Sequence, residues 1–297
     1  VHVVVIGAGI AGIACARALA DAGVSVQVRE RADRVGGRMS APELDGRPVD
    51  LGAAYFTVRD EGFAAVADRW RRRGLARPWT DTLDVFEGGT RIAAPGPMRW
   101  AAPGGLASLV ADLAEGLDVR LGRAVRSVGP GPVVDGERAD AVVLAMPDPQ
   151  ALALADLPAL RDRRWRPVLA VAMRFARREW SPFPAAFVNR HPLLTSIADD
   201  GDRRGDGAPV LVAHATGGAP DAVVAAVREL LGVPEPVAVH AHHWPHAAPV
   251  GERAEPFLLT GDGVGVAGDG WGSSRIETAW RSGSLLGKTL AERLSRG

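Results

Sequence analysis

Residues 2–6 are an unbroken apolar run, the pattern of a parallel strand buried on both faces, and residues 10–22 carry apolar side chains at helical spacing. The stretch "VSVQVRE" (24–30) reads as a second strand, so the chain opens on a strand–helix–strand unit. An irregular Gly- and Pro-rich passage (34–52) follows. The pattern then predicts a helix over 60–74, short strands over 82–100 broken by "GG" and "PGP", and a glycine-led helix over 103–116. Short strands are expected near 117–121, 123–128 and 132–134. The segment "ADAVVLAMP" (139–147) returns to the fully apolar type and so rejoins the parallel sheet.

From 165 to 243 the character changes. Alternating strands ("PVLAVAMRF", "PVLVAHA", "PVAVHAHHW") flank a helix over 219–231, and alternation suits an antiparallel sheet with one covered face. The polar stretch "ADDGDRRGDGAP" (198–209) reads as a hairpin tip. Near the end, "GVGVAGDGWGSSRIETAW" (263–280) repeats the opening design of apolar strand, glycine turn and helix. The expected fold is α/β, with a discontinuous nucleotide-binding domain (1–60, 101–150 and 256–297). A mainly antiparallel β substrate domain (61–100 and 151–255) is inserted into it.

Composition narrows the functional classes. Basic and acidic residues number 35 each, so no net field draws in nucleic acid or an anionic membrane, and "RWRRRG" (69–74) reads as the solvated face of a helix. The single Cys15 excludes an intrachain disulfide and a thiolate metal site, and its place in the first helix makes it a small core residue. No apolar run approaches the ~20 residues of a membrane span, and the first apolar segment runs into a glycine turn rather than a signal-cleavage pattern. A cytoplasmic location is the resulting expectation.

Gly7, Gly9 and Gly12 form G-x-G-x-x-G directly after a strand and at the start of a helix. The first allows a tight turn, the second a close approach of backbone to pyrophosphate, and the third close helix-to-strand packing. Glu30 ends the second strand, where a carboxylate can accept from both ribose hydroxyls, which favours NAD or FAD over NADP. Downstream, Gly36 and Gly37 precede Arg38, and "VDLGAAYFT" (49–57) brings a further small-residue turn. The doublet and its arginine resemble the GG-doublet flavoproteins, in which they run along the FAD phosphates and the isoalloxazine.

With "GGRMS", "DLGAAYFT", "APGGLASLVADL", "AVVLAMP" and "AGDGWGSSRIETAWRSG" in this order, the chain resembles the renalase family nearly end to end, most thinly between about 150 and 235. The resemblance implies a p-hydroxybenzoate-hydroxylase-like FAD domain and kinship with monoamine and polyamine oxidases. It also implies oxidation of 2- or 6-dihydro isomers of NAD(P)H to NAD(P)+, with electrons passed through FAD to O2 to give H2O2. It places FAD contacts on the turn around Ala11, on Glu30, Gly37 and Arg38, on Ala54 and Tyr55, on Val125 through its backbone, and on Gly268, Asp269 and Ile276. Relatives carry glutamine where this chain has Ala54, which keeps a second substrate class open, a small amine or ring C–N bond.

The related amine oxidases use a lysine that holds a water at flavin N5. The only lysine here, Lys288, lies well inside the last helix. Relatives that anchor flavin covalently use a C-terminal cysteine, absent here, so non-covalent FAD is expected. Loss of hydride from a dihydronicotinamide creates an aromatic ring directly, so orientation matters more than a general base. The helix expected to begin near Ser273 would aim its amide donors at the negative end of reduced flavin.

The segment "HAHHWPH" holds four of the seven histidines. Alternation sends His240 and His242 to one face and His243 to the other, with no carboxylate or thiolate nearby, so no metal site is expected. His243, His246, Tyr55 and Trp271 are the candidates for contact with the substrate. Arg174 and Arg275 are those for its phosphates, although surface placement suits both arginines equally.

Overall fold

The computed structural model describes residues 2–296 and divides the chain into two compact units. The first comprises Val1–Met39, Val110–Arg166 and Ala248–Gly297, and the second Ser40–Leu109 and Pro167–Ala247.

The first unit is built on a six-stranded sheet in the order Leu258–Leu259, Val264–Val266, Ala141–Leu144, His2–Ile6, Ser25–Arg29, Asp118–Arg120. Every neighbouring pair is parallel except the first, which is antiparallel. The apolar runs are central for the expected reason: Val3, Val5, Val142, Val143 and Leu144 are all sealed from solvent. Helix Ile10–Asp21 packs closely on the last helix, Ile276–Ser295. Two glycines one turn apart on the latter make this possible, since a Cβ at Gly283 would lie 1.9 Å from the Ala11 carbonyl oxygen and one at Gly287 2.6 Å from that of Cys15.

The second unit carries a seven-stranded sheet in the order Ala238–Pro249, Trp165–Arg174, Val210–Ala215, Leu194–Asp199, Ala185–Val188, Arg77–Glu87, Thr90–Ala101. The two outermost named ranges at one side run a few residues past the unit boundary. Alternation divides this sheet as expected. Leu169, Val171, Met173, Leu211 and Ala213 face helix Pro220–Leu231 through Val223, Val224 and Val227. Ala170, Ala172, Val210 and Val212 face the other way, where Leu44, Val49 and Leu51 cover them. Strands Ala185–Val188 and Leu194–Asp199 have no counterpart in the sequence reading, because each is too short and too near a proline to show an alternation.

The unit boundaries depart from the expected ones at four places. Residues 40–60 belong to the second unit, since their backbone is gripped by its side chains: Arg203 donates to the carbonyls of Asp50 and Ala54, and His214 bonds that of Leu51. Residues 101–109 go with it; Leu106 N–H is taken by the Asp50 carboxylate. Residues 151–166 and 248–255 fall instead in the first unit. Ala151, Leu157 and Leu160 share a core with Val4 and Ile6, and Arg253 pairs with Asp148.

The stretch 198–209 does join two antiparallel neighbours, Leu194–Asp199 and Val210–Ala215, as expected of a hairpin tip, but it is neither irregular nor solvated. It folds as a short helix, Asp200–Arg204, capped by the Asp199 carboxylate on Asp202 N–H and closed by left-handed Gly205. Asp199, Asp200, Arg203 and Arg204 are buried. In contrast, Arg71 and Arg72 of the basic run are exposed and pair with Asp68.

Candidate functional site

The opening turn of the first unit has the geometry that an adenine dinucleotide requires. Gly7 has φ 106°, and a Cβ there would sit 2.6 Å from the Ala145 carbonyl oxygen. At Gly12 a Cβ would lie 2.0 Å from the Gly7 carbonyl oxygen, so this glycine is demanded by helix-to-turn packing. Gly9 differs from both, because a Cβ there would meet no atom within 4 Å. The space beside it is therefore open, and the first amides of the following helix, which have no acceptor of their own within it, start there.

The glycine doublet closes on the same turn. Gly36 N–H donates to the Ala8 carbonyl at 2.9 Å, and Gly37, at φ 55°, comes against Gly9. The buried Glu30 carboxylate accepts from Ala8 N–H at 2.7 Å and Ala32 N–H at 2.8 Å. Each of its oxygens retains a lone pair for a ribose hydroxyl.

The last glycine turn reaches this first one through charge. Arg38 donates to Asp269 through both terminal nitrogens, at 3.0 and 2.5 Å, in a bidentate pair, and Ser274 Oγ donates to the same carboxylate at 2.9 Å. The Arg38 guanidinium also lies over the Trp165 ring. Asp269 is buried and is not a helix cap: the last helix begins at Ile276, with Arg275 as its N-cap, rather than near Ser273. Gly268 donates its N–H to Ser282 Oγ on that helix. Ile276 is buried at its first position, as is Ala11, whose carbonyl abuts Gly283. Val125 packs its side chain on the core, in an irregular stretch where the next two amides are taken by Asp135.

Trp271 is not available for stacking against a substrate. Its indole belongs to the core cluster with Val142 and Leu144, and the Arg253 guanidinium, held by Asp148, covers it 4.3 Å from the ring centre. Arg174 is engaged by Asp45 at 2.6 Å, and Arg275 is exposed.

In the second unit, Ala54 and Tyr55 pack on Leu83, Ala185 and Ala198, and Arg99 lies over the Tyr55 ring. The turn that carries them is held by a buried ionic cluster. Arg203 donates to Asp50 O and Ala54 O, each at 3.1 Å, and pairs with Asp200, which also receives Arg47 and Arg204. Desolvation raises Asp200, but the surrounding guanidinium groups overcome it and hold the carboxyl below its usual range. For Asp50 desolvation prevails over Arg203 and Arg204, and its pKa is raised.

His243 and His246 do not share a face of their strand. Ala238 and Trp244 pack on the Ala170–Val212 side and Ala241 on the other, so alternation sends His246 with Trp244 and His243 with Ala241. The His242 ring centre lies 4.0 Å from that of Trp244 with the planes tilted by 58°, and desolvation followed by the charges of His240 and His243 lowers its pKa. Among the described residues no group of three His, Cys, Asp or Glu is arranged to hold a metal.

The sequence reading passed over His214. Its Nε2 lies 2.9 Å from the Leu51 carbonyl oxygen, which also accepts from Trp244 Nε1 at 3.4 Å. A lone histidine in "PVLVAHA" offers no motif; only its inward register marks it.

Two family profiles match this chain. The profile described as NAD(P)-binding Rossmann-like domain matches residues 5–70, and that of flavin containing amine oxidoreductase matches residues 63–285. The chain belongs to the flavin-containing amine oxidoreductase family. Its cofactor is accordingly FAD, which the open Gly9 turn, Glu30 and the Arg38–Asp269 pair fit. Polyamine oxidase 4 of rice (Oryza sativa subsp. japonica) is 51% identical over 54 residues, 18% of this chain and 11% of that protein. Phytoene dehydrogenase of Streptomyces griseus is 45% identical over 75 residues, 24% of this chain and 15% of that protein. The chain thus matches these two relatives over a small part of their length.

Among solved structures, cyclohexylamine oxidase from Brevibacterium oxydans superposes with a TM-score of 0.78 at 17% identity, covering 100% of both chains. Putrescine oxidase bound to putrescine gives 0.72 at 16% identity, again covering 100% of both. At these identities the likeness is one of fold. No helix among the described residues is long and apolar enough to cross a membrane.

Proposed function

We propose that this protein is an FAD-dependent oxidase that removes hydride from a carbon bonded to nitrogen in a small amine. The observation that carries the reading is the flavin containing amine oxidoreductase match over residues 63–285, together with a Gly9 turn open on the side where a dinucleotide would lie. When bound, FAD supplies the two-electron acceptor. The substrate loses hydride from carbon and a proton from nitrogen to leave as an imine, and O2 takes up the electrons with two protons to give H2O2.

The chain's own residues serve binding and orientation. The Gly9 turn and the first amides of helix Ile10–Asp21 receive the pyrophosphate, and Glu30 takes the adenosine ribose. Arg38, aimed by Asp269 and Trp165, supplies positive charge beside the doublet. The ionic cluster around Arg203 fixes the backbone of the 50–54 turn, which limits the freedom of Ala54 and Tyr55.

A second reading is supported by one observation. Lys288, the only lysine, is exposed on the last helix, so the chain has no lysine to hold a water for amine oxidation. Oxidation of 2- or 6-dihydro isomers of NAD(P)H to NAD(P)+, the activity implied by the renalase resemblance, dispenses with that residue. Anaerobic mixing of the yellow holoprotein with an amine panel and with 2- and 6-dihydro-NAD separates the two. Bleaching by amines alone is the expected result, and bleaching by dihydronicotinamides alone overturns it in favour of the second reading.

A further inference from the structure

One row of side chains crosses six strands of the second unit on a single sheet face. The register pairs Ile92 with Val85, Val85 with Phe187, Phe187 with Ser196, Ser196 with His214, and His214 with Ala170. Directly opposed residues project to the same face, so these side chains form one band. It lies on the face that the Leu44–Leu51 segment covers one row away. Phe187 and Ile92, large and apolar, remain 44% and 58% exposed. Ile92 lies on the edge strand, but Phe187 is two strands in from it, and the core clusters of the unit do not account for its exposure.

The band is chemically polarised. One end is apolar (Ile92, Val85, Phe187), and the other carries Ser196 and His214, with Trp244 sharing the Leu51 carbonyl with His214. A carbonyl only accepts, so the His214 nitrogen bonded to Leu51 O bears the hydrogen, and Nδ1 of the neutral ring is an acceptor. The band contains no carboxylate and no guanidinium. One position further along, Glu87 is engaged by Arg190 at 3.0 Å and Asn189 at 3.2 Å. A second ammonium on a substrate therefore finds no free partner, nor does a phosphate.

We propose that this band is the substrate platform and that it selects a monoamine with an apolar tail. The amine N–H donates to His214 Nδ1 beside Ser196, and the tail runs over Phe187 towards Val85 and Ile92, roughly 10 Å or more at the spacing of strands. As hydride leaves the carbon, His214 Nδ1 takes the nitrogen-bound proton, so the product is a neutral imine and the ring becomes imidazolium. The inference rests on the FAD-dependent amine reading and specifies its substrate. Desolvation, with the charge of Arg203, lowers the His214 pKa, which agrees with a ring that begins the step neutral.

The test is anaerobic flavin reduction of the holoenzyme by hexylamine, putrescine and 6-dihydro-NAD, in wild type, Phe187→Ala and His214→Gln. Hexylamine is expected to outpace putrescine in specificity by about tenfold or more, and Phe187→Ala to weaken hexylamine binding by about tenfold. His214→Gln keeps an N–H within reach of Leu51 and an amide oxygen in place of Nδ1, but loses the basic nitrogen that takes the proton. Its reduction by hexylamine should slow about a hundredfold with an unchanged melting temperature. Equal use of hexylamine and putrescine, or wild-type reduction rates in His214→Gln, overturns the platform alone. Reduction by 6-dihydro-NAD only, or by none of the three, overturns the amine reading and the platform with it.

Discussion

The Gly9 turn and the Arg203 cluster hold chain together by opposite means. At the turn the backbone does the holding: Gly7 and Gly12 admit contacts that any Cβ would block, and Gly9 leaves a space unfilled. In the cluster, side-chain charge does it: two arginines and two aspartates are buried together, and Arg203 donates to backbone carbonyls 149 and 153 residues away in sequence. A site made of backbone tolerates no side chain and so leaves glycines at fixed spacing. A site made of buried charge has the composition of a surface loop.

The contrast can be broken first at Arg203. Arg203→Met leaves Asp200 and Asp50 in the core without their main partner, and about 3–5 kcal/mol of stability should be lost in urea unfolding. A loss under 1 kcal/mol would mean that the cluster is peripheral to the fold. Next comes Asp269→Ala, which strips Arg38 of its bidentate partner. FAD affinity in titrations of apoprotein should drop about tenfold, with a smaller effect on the melting temperature.

Within the cluster, acid should act on the two buried aspartates in opposite senses. The folded-state pKa of Asp200 is depressed, so its contribution is complete above the unfolded value and is lost as pH falls below about 4 towards the folded value. Asp50 is raised and works in the opposite sense, losing stability as pH rises from about 4 through its folded value, so it softens the acid limb. Asp200→Asn should accordingly show a flatter loss of stability between neutral pH and pH about 3 than the wild type, followed by circular dichroism. The smallest effect is expected at Cys15, whose thiol burial pushes up to about 12. It should resist a disulfide reagent at pH about 8 until the protein unfolds.

Much of the first unit was legible because its requirements are local. The strand His2–Ile6, the glycines, Glu30, and Gly36 with Gly37 each declare themselves within a few residues, and all lie in the turn region as expected. Partnership was not legible. Nothing local couples Arg38 to Asp269 across 231 positions, covers Trp271 with Arg253, or brings His214 to Leu51. "DDGDRRGDG" misled for the same reason, since its aspartates and arginines neutralise one another only after folding. Histidine density is no guide to a shared site: in "HAHHWPH" strand parity puts His243 and His246 on opposite faces.

The most direct test of the central claim, that open backbone at Gly9 receives the cofactor, is FAD titration of Gly9→Val apoprotein alongside its melting temperature. The account predicts an unchanged melting temperature, because a Cβ there meets nothing, with FAD affinity lowered by about tenfold or more. Wild-type FAD affinity in that variant would contradict it.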